Sequence, residues 1–418
     1  MKNIVVLADK YYPDMSAPSA VLDKYIQELK GEYNFHVITI TYRKEFEPFP
    51  DKRIKLHYIT SFWHERRVHA EESFRKNPKD KWAWIEIQFF RLRSLLLSYF
   101  SYPMSTKWQI KEYNKVLKRI SNEINIDTVI SVSNTVITQF AVKDFKKEHP
   151  EIKWITFFTD PFTFHYIYYP RPYPFKKLRE KRNYKNELDI YNTADYNMLV
   201  EDLYGIALEK FHQPKNKTFQ IKFVLQDIKE LIGNKDSKII SEDVRLVYAG
   251  ALYKDIRNPE YMLSVISKVY GVTLDLYTSA TTGNECGDII EKYLSDSIHT
   301  YPPKDRAGYL EMISNEYDIL INIGNNSPNQ TPSKTLELLS TGRPILNFYY
   351  KKDGQYDMIE KYPLGLNVGR DDTNAVAKVQ DFCNRMKGVR MAFEEVESLY
   401  PENALSRQVQ LLKKLIDE

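Results

Sequence analysis

The chain alternates short apolar runs with stretches of helical spacing. Asn3–Ala8 (NIVVLA) is an unbroken apolar run of strand length, which suits a strand covered on both faces of a parallel sheet. A polar loop follows. Ser19 is a plausible helix N-cap, and Val21, Leu22, Tyr25, Ile26 and Leu29 recur at helical spacing. A second run, His36–Thr41, completes a βαβ opening. The same reading gives strands at Thr128–Val132, Trp154–Phe158 and Tyr196–Val200, with a helix between the first two running to about Lys147. Near Gln213–Thr218 the chain turns polar and irregular. A second series then begins with strands at Arg245–Ala249, Thr273–Tyr277, Ile298–Tyr301, Ile319–Ile323 and Pro344–Tyr349. Helices are predicted from Pro259, over Arg306–Ile313, from Ser333, and as a single amphipathic helix over Pro401–Ile416.

This pattern predicts an α/β protein of two doubly wound, Rossmann-like domains. The boundaries are 1–215, 216–400 and a final helix 401–418. In two such successive domains the site is expected in the cleft between them, at the carboxyl ends of the strands.

Composition narrows the classes. With 418 residues, 43% hydrophobic and 28% charged, the chain is an ordinary globular one, not collagen, rod or disordered. Its apolar stretches fall short of a membrane span, and the N-terminal run is too short for a signal peptide, so a cytoplasmic protein is expected. Cys286 and Cys383 share no CxxC spacing and the eight histidines are scattered, so neither a disulfide framework nor a metal site is expected. The net charge of +4 is uneven. Residues 61–120 hold thirteen Lys/Arg against six Asp/Glu, and residues 170–185 hold seven against one. An anionic partner is therefore sought there. No nucleic-acid motif accompanies these clusters, and nucleic acid is not an expected partner.

The segment Asn322–Asn347 (NIGNNSPNQTPSKTLELLSTGRPILN) reads as strand, irregular loop, helix, tight Gly turn and strand. A helix opening at Pro332-Ser333 offers free N–H groups to an anion, and Lys334 adds a full charge in its first turn. Glu337 lies one turn on, where a carboxylate can accept two hydrogen bonds from a vicinal diol. A surface Lys–Glu pair is the plainer alternative. In Val247–Leu263 (VYAGALYKDIRNPEYML) a strand turns at Gly250 ahead of Lys254 and Arg257.

These two segments resemble those of GT-B glycosyltransferases in and around glycosyltransferase family 4. PSKTLELLSTGRPIL is similar to the family's PSKxxE segment, and Val247–Leu263 to its strand–turn–Arg/Lys–helix segment. The resemblance implies a nucleotide-diphosphate sugar, UDP- or GDP-linked, as donor substrate, with no metal or other cofactor. It implies that Arg257, or else Lys254, holds the diphosphate with Lys334, Ser333 and Gly250, and that Glu337 binds the ribose. It further implies base contacts from Tyr277 and Tyr301 and donor-sugar contacts from Asn329, Gln330 and Thr331. The family's first Glu is replaced by Asn329. Family 4 members retain anomeric configuration, and this replacement leaves inversion open.

On the other side, Asp160 ends the strand of IKWITFFTDP and is the leading acid/base candidate, with His165 second. The first loop carries Ser-Ala-Pro-Ser where family members often carry Gly-Gly. Trp82–Trp108 is basic and aromatic. It is either a helix packed on the sheet or one lying in the headgroups of an anionic membrane. The combined expectation is a metal-independent glycosyltransferase acting on a glycan or lipid-linked acceptor. The pathway would be surface polysaccharide synthesis: capsule, exopolysaccharide or cell wall. The enzyme would be cytoplasmic, with a peripheral place on the inner face of the membrane. The alternatives are a nucleotide-sugar 2-epimerase of similar layout and a non-catalytic glycan- or nucleotide-binding subunit.

Overall fold

A computed structural model describes the chain except residues 14, 42–47, 61, 102–106, 134–135, 161, 165–174, 229–241, 279–285 and 327–333, and the side chains of 62, 64, 97–101 and 133. The chain divides into two compact units: Met1–Lys222 with Gln408–Glu418, and Phe223–Arg407.

The first unit is built from β1 (Asn3–Ala8), α1 (Ala17–Leu29), β2 (Asn34–Ile40), β3 (Ile54–Ile59), α2 (Phe62–Lys76), α3 (Lys81–Ser101), α4 (Lys107–Glu123), β4 (Thr128–Ser133), α5 (Ile137–Glu148), β5 (Lys153–Phe158), α6 (Lys176–Thr193), β6 (Tyr196–Val200), α7 (Glu201–Glu209) and β7 (Thr218–Ile221). Its sheet runs β3-β2-β1-β4-β5-β6-β7, with every pairing parallel. Ile4, Val5, Val6, Leu7 and Ala8 are all fully buried, because β1 lies mid-sheet with helices on both faces.

The second unit holds β8 (Val244–Ala249), α8 (Glu260–Ile266), β9 (Val272–Tyr277), α9 (Gly287–Ile290), β10 (Ile298–Tyr301), α10 (Arg306–Asn315), β11 (Ile319–Ile323), α11 (Lys334–Ser340), β12 (Ile345–Tyr349), α12 (Gly354–Lys361), β13 (Gly365–Gly369), α13 (Ala375–Met386) and α14 (Phe393–Leu399). The parallel sheet order is β10-β9-β8-β11-β12-β13. The tight turn before β12 needs glycine. Gly342 has φ +68°, and a Cβ there would stand 2.0 Å from the Met391 carbonyl oxygen. The last helix, α15 (Leu405–Asp417), ends in the first unit. Its final carbonyls are held by lysines of that unit: Lys153 Nζ donates to Leu415 O (3.0 Å) and Ile416 O (2.9 Å), and Lys2 Nζ to Ile416 O (3.0 Å). Cations suit the negative end of a helix.

Several elements differ from the sequence reading. Ser19 is not the N-cap of α1; the helix starts at Ala17, with Pro at a first-turn position that has no use for an N–H. Ser19 is instead buried, its hydroxyl 3.0 Å from that of Ser16. The last helix does not start at Pro401, where a 3₁₀ turn precedes it. Strands β3, β7 and β13 went unread. β7 has only four residues, β3 mixes Lys and His into its run, and β13 carries two glycines. The segment read as either packed on the sheet or lying in the headgroups of a membrane falls largely on α3, whose main partner is α2.

Candidate functional site

In the second unit the strand order reverses between β8 and β11. In an open parallel sheet such a reversal leaves a crevice beyond the carboxyl ends of the two strands, where ligands bind. The segment after β8 carries Lys254 and Arg257, and the uncharged segment after β11 leads to Lys334. β8 leads into Gly250, with φ +150°, and a Cβ on it would meet Lys334 Nζ at 2.7 Å. Glycine therefore serves twice: it takes a backbone conformation that other residues resist, and it leaves room for the ammonium.

Lys334 opens α11, and a buried polar ladder fixes that helix. Asn322 of β11 donates to Asn347 of β12 (2.9 Å), which donates to Asn367 of β13 (2.7 Å). Asn322 also donates to Gln355 Oε1 (3.1 Å), which accepts from the Thr335 hydroxyl (3.0 Å). A buried network with fixed partners specifies one geometry, and here it sets the first turn of α11. The stem of Lys334 is partly exposed, but its ammonium nitrogen is buried and finds no hydrogen-bond acceptor among the described residues. It lies over the Tyr248 ring, 4.8 Å from the centroid. Burial pulls this amine from its ordinary value of 10.5 down to about 7; the Arg257 charge acts in the same direction and Glu337 against it.

Arg257 joins the same turn. Its Nε and Nη2 donate to Asn325 Oδ1 at 3.1 and 2.7 Å, and Nη1 reaches Ala251 O at 3.4 Å. Lys254, the other sequence candidate, turns to Asp288 at 2.9 Å. Two cations thus meet beside one glycine turn. Among the described residues the acceptors of Arg257, Asn325 Oδ1 and Ala251 O, are neutral, and Lys334 has none. That arrangement favours an anion that can supply several oxygens.

Glu337 stands one turn beyond Lys334. Its Oε1 accepts from Arg306 Nη2 (2.7 Å) and Gln226 Nε2 (3.0 Å), and Gln226 Oε1 accepts from the same Arg306 nitrogen (3.1 Å). The sequence reading contained neither partner, since both lie far from Glu337 along the chain. Nor did it single out Asn325, Tyr248 or Gln355; a buried amide in a strand is visible in sequence only as a polar letter in an apolar run. Tyr277 and Tyr301, at the ends of β9 and β10, stack on one another with centroids 5.1 Å apart and planes at 23°. Tyr301 remains exposed, while the Tyr277 hydroxyl sits 3.3 Å from that of Tyr317. Ser333, Asn329, Gln330 and Thr331 lie outside the described residues.

In the first unit Asp160 follows β5. It lines an open cavity of about 620 Å³ together with Lys10 and Ser16 of the first loop and Pro18 of α1. The Thr159 hydroxyl donates to Asp160 Oδ2 (3.1 Å). Glu187 of α6 is buried and accepts from Thr163 N (2.9 Å) and the Tyr191 hydroxyl (2.8 Å). Burial pushes this carboxyl up from its ordinary value. His165, the second acid/base candidate, lies outside the described residues.

The two parallel sheets with alternating helices define an α/β protein of two Rossmann-like domains, the GT-B fold. No protein-family model and no curated protein matches the chain. Solved structures do. The chain is similar to a sucrose-phosphate synthase from Thermosynechococcus elongatus, at 11% identity over 99% of this chain and 98% of that one, with a TM-score of 0.63. It is similar to the Anabaena protein HepE, solved in complex with UDP-glucose, at 10% identity over 100% of both chains, TM-score 0.60. It is also similar to a putative UDP-N-acetylglucosamine 2-epimerase from Listeria monocytogenes, at 12% identity over 99% and 95%, TM-score 0.54. At these identities the likeness establishes the fold.

Proposed function

We propose that the chain is a glycosyltransferase that takes a sugar from a UDP- or GDP-sugar and passes it to a hydroxyl of a glycan or lipid-linked acceptor. The observation that carries this reading is the buried Lys334 ammonium, without an acceptor among the described residues, beside Arg257 and Gly250 at the β8–β11 reversal. A diphosphate supplies the acceptor oxygen that Lys334 lacks and an anionic partner for Arg257, whose acceptors are neutral. In the transfer, the acceptor oxygen bonds the anomeric carbon, the bond from that carbon to the diphosphate breaks, and the nucleoside diphosphate leaves as an anion. Arg257 and Lys334 stabilise that charge directly. Glu337 takes the ribose hydroxyls, and Tyr301 offers an exposed ring to the base. Asp160, or His165, accepts the acceptor proton. Ser333 is assigned to the diphosphate, and Asn329, Gln330 and Thr331 to the donor sugar. Surface polysaccharide synthesis in the cytoplasm, at the inner face of the membrane, is the setting that suits this chemistry.

The likeness to a 2-epimerase structure keeps a second reading, conversion of the free donor without acceptor. The test is a thermal-shift panel with UDP, GDP, CDP, dTDP and their sugars, followed by turnover with and without acceptor glycans. A ligand at 100 times its Kd adds about 2.7 kcal/mol to stability. One diphosphate family should shift the wild type and fail to shift Arg257→Ala. Conversion of free donor would establish the epimerase, and binding without turnover a non-catalytic subunit. No shift with any nucleotide would overturn the donor site.

A further inference from the structure

Helix α3 carries two apolar faces. Ala83, Ile87 and Phe90 are buried, and α2 is the main partner of the helix. Trp82, Trp84, Ile85, Phe89, Leu92, Leu95 and Leu96 are 48 to 79% exposed. At about 100° per residue, these seven fall within an arc of about 160°, centred roughly 170° round from the buried face. Such a stripe cannot be a by-product of core packing, because the core lies on the other side. The helix is also held in place. Asp80 Oδ1 accepts from the N–H groups of Trp82 and Ala83 at 3.1 Å each, and its other oxygen accepts from the Ser73 hydroxyl of α2 at 2.9 Å. The exposed stripe is therefore a feature of a fixed helix rather than of a fraying one.

Charge selects the occupant. On the same helical wheel Lys81 lies within this arc and Arg93 at its edge, and both are exposed. Residues 61–120 carry thirteen Lys/Arg against six Asp/Glu. A second copy of this face would bring two such positive fields together, which disfavours self-association. An anionic bilayer meets both features: its headgroup layer takes Trp and Phe side chains, and its surface attracts the flanking cations.

We propose that the Trp82–Leu96 stripe of α3 lies in the headgroup layer of an anionic membrane, with Lys81 and Arg93 on lipid phosphates. Among the described residues no helix is long and apolar enough to cross a membrane, so α3 lies on the surface and does not span it. The inference goes beyond the transferase reading by naming the element, its residues and the lipid class. It also stands apart from that reading, since none of these residues belongs to the nucleotide site.

The experiment is flotation of the full chain with vesicles of phosphatidylcholine alone and of phosphatidylcholine with phosphatidylglycerol. Wild type should float with the anionic vesicles at least tenfold more than with the neutral ones, and less as salt rises. Phe89→Ser/Leu92→Ser and, separately, Lys81→Glu/Arg93→Glu should each lower that partition about tenfold, with melting temperature and nucleotide-induced shift unchanged. Brominated lipid should quench the wild type more than Trp82→Phe. Equal binding by wild type and both variants, or no binding to either vesicle, would overturn the proposal. So would a dimer in solution that Phe89→Ser/Leu92→Ser dissociates, which would make the stripe a contact between copies. A lost nucleotide shift with intact flotation would count against the transferase reading alone.

Discussion

Replacing Lys334 by methionine should make the empty protein more stable and, in the same stroke, unable to hold nucleotide. Methionine keeps the unbranched, flexible stem and removes the charge. The buried ammonium titrates near 7 instead of at its ordinary 10.5. Each unit is worth about 1.4 kcal/mol, so the charged form stands about 5 kcal/mol worse in the empty site than in water. The sign follows from linkage. The unfolded chain keeps this proton up to about pH 10.5 and the folded chain gives it up near pH 7. Between those values the unfolded state binds more protons, so folding stability rises with pH. Below pH 7 the full penalty is present. From pH 6 to pH 9 Lys334 alone should add about 3 kcal/mol to the stability of the second unit. Hydrogen exchange of the β8 and β11 amides reads that unit's opening free energy without requiring the whole chain to unfold in one step. In Lys334→Met this rise should vanish, and at pH 6 the variant should exceed wild type by several kcal/mol. Saturating nucleoside diphosphate should flatten the wild-type pH slope as well, because its oxygens hold the ammonium charged. An identical pH slope in wild type and variant, or a variant less stable at pH 6 that still binds nucleotide, would refute the reasoning.

Other substitutions test the remaining parts. Glu337→Ala removes charge-assisted hydrogen bonds worth about 1.5–3 kcal/mol; donor KM should rise roughly tenfold or more while the melting temperature changes little, and unchanged kinetics would remove Glu337 from the ribose. Gly342→Ala puts a methyl on a left-handed residue against the Met391 carbonyl; a stability loss above about 2 kcal/mol is expected by thermal unfolding, with the nucleotide shift intact at lower temperature. Asp160→Asn should lower kcat about 100-fold or more without altering the nucleotide shift, if the carboxylate takes the acceptor proton.

The sequence by itself settled the architecture. Unbroken apolar runs such as Asn3–Ala8 and Ile319–Ile323 can be satisfied only where both faces are covered, which means parallel strands between helices. Short or mixed strands such as β7 and β3 escaped because their apolar signal is no stronger than that of a loop. The sequence also singled out Gly250, Arg257, Lys334 and Glu337 as residues of the right chemistry on the right segments. It did not show that the first three converge on one turn, or that Glu337 is already engaged by Arg306 and Gln226. Those facts depend on side chains brought together from positions distant along the chain. Only the tertiary structure determined that the Lys334 ammonium is buried without an acceptor among the described residues, and hence that its charge is costly until an anion arrives. It likewise determined which of α3's two apolar faces is covered. Periodicity shows that a helix has an apolar face, but what lies against that face depends on the rest of the fold.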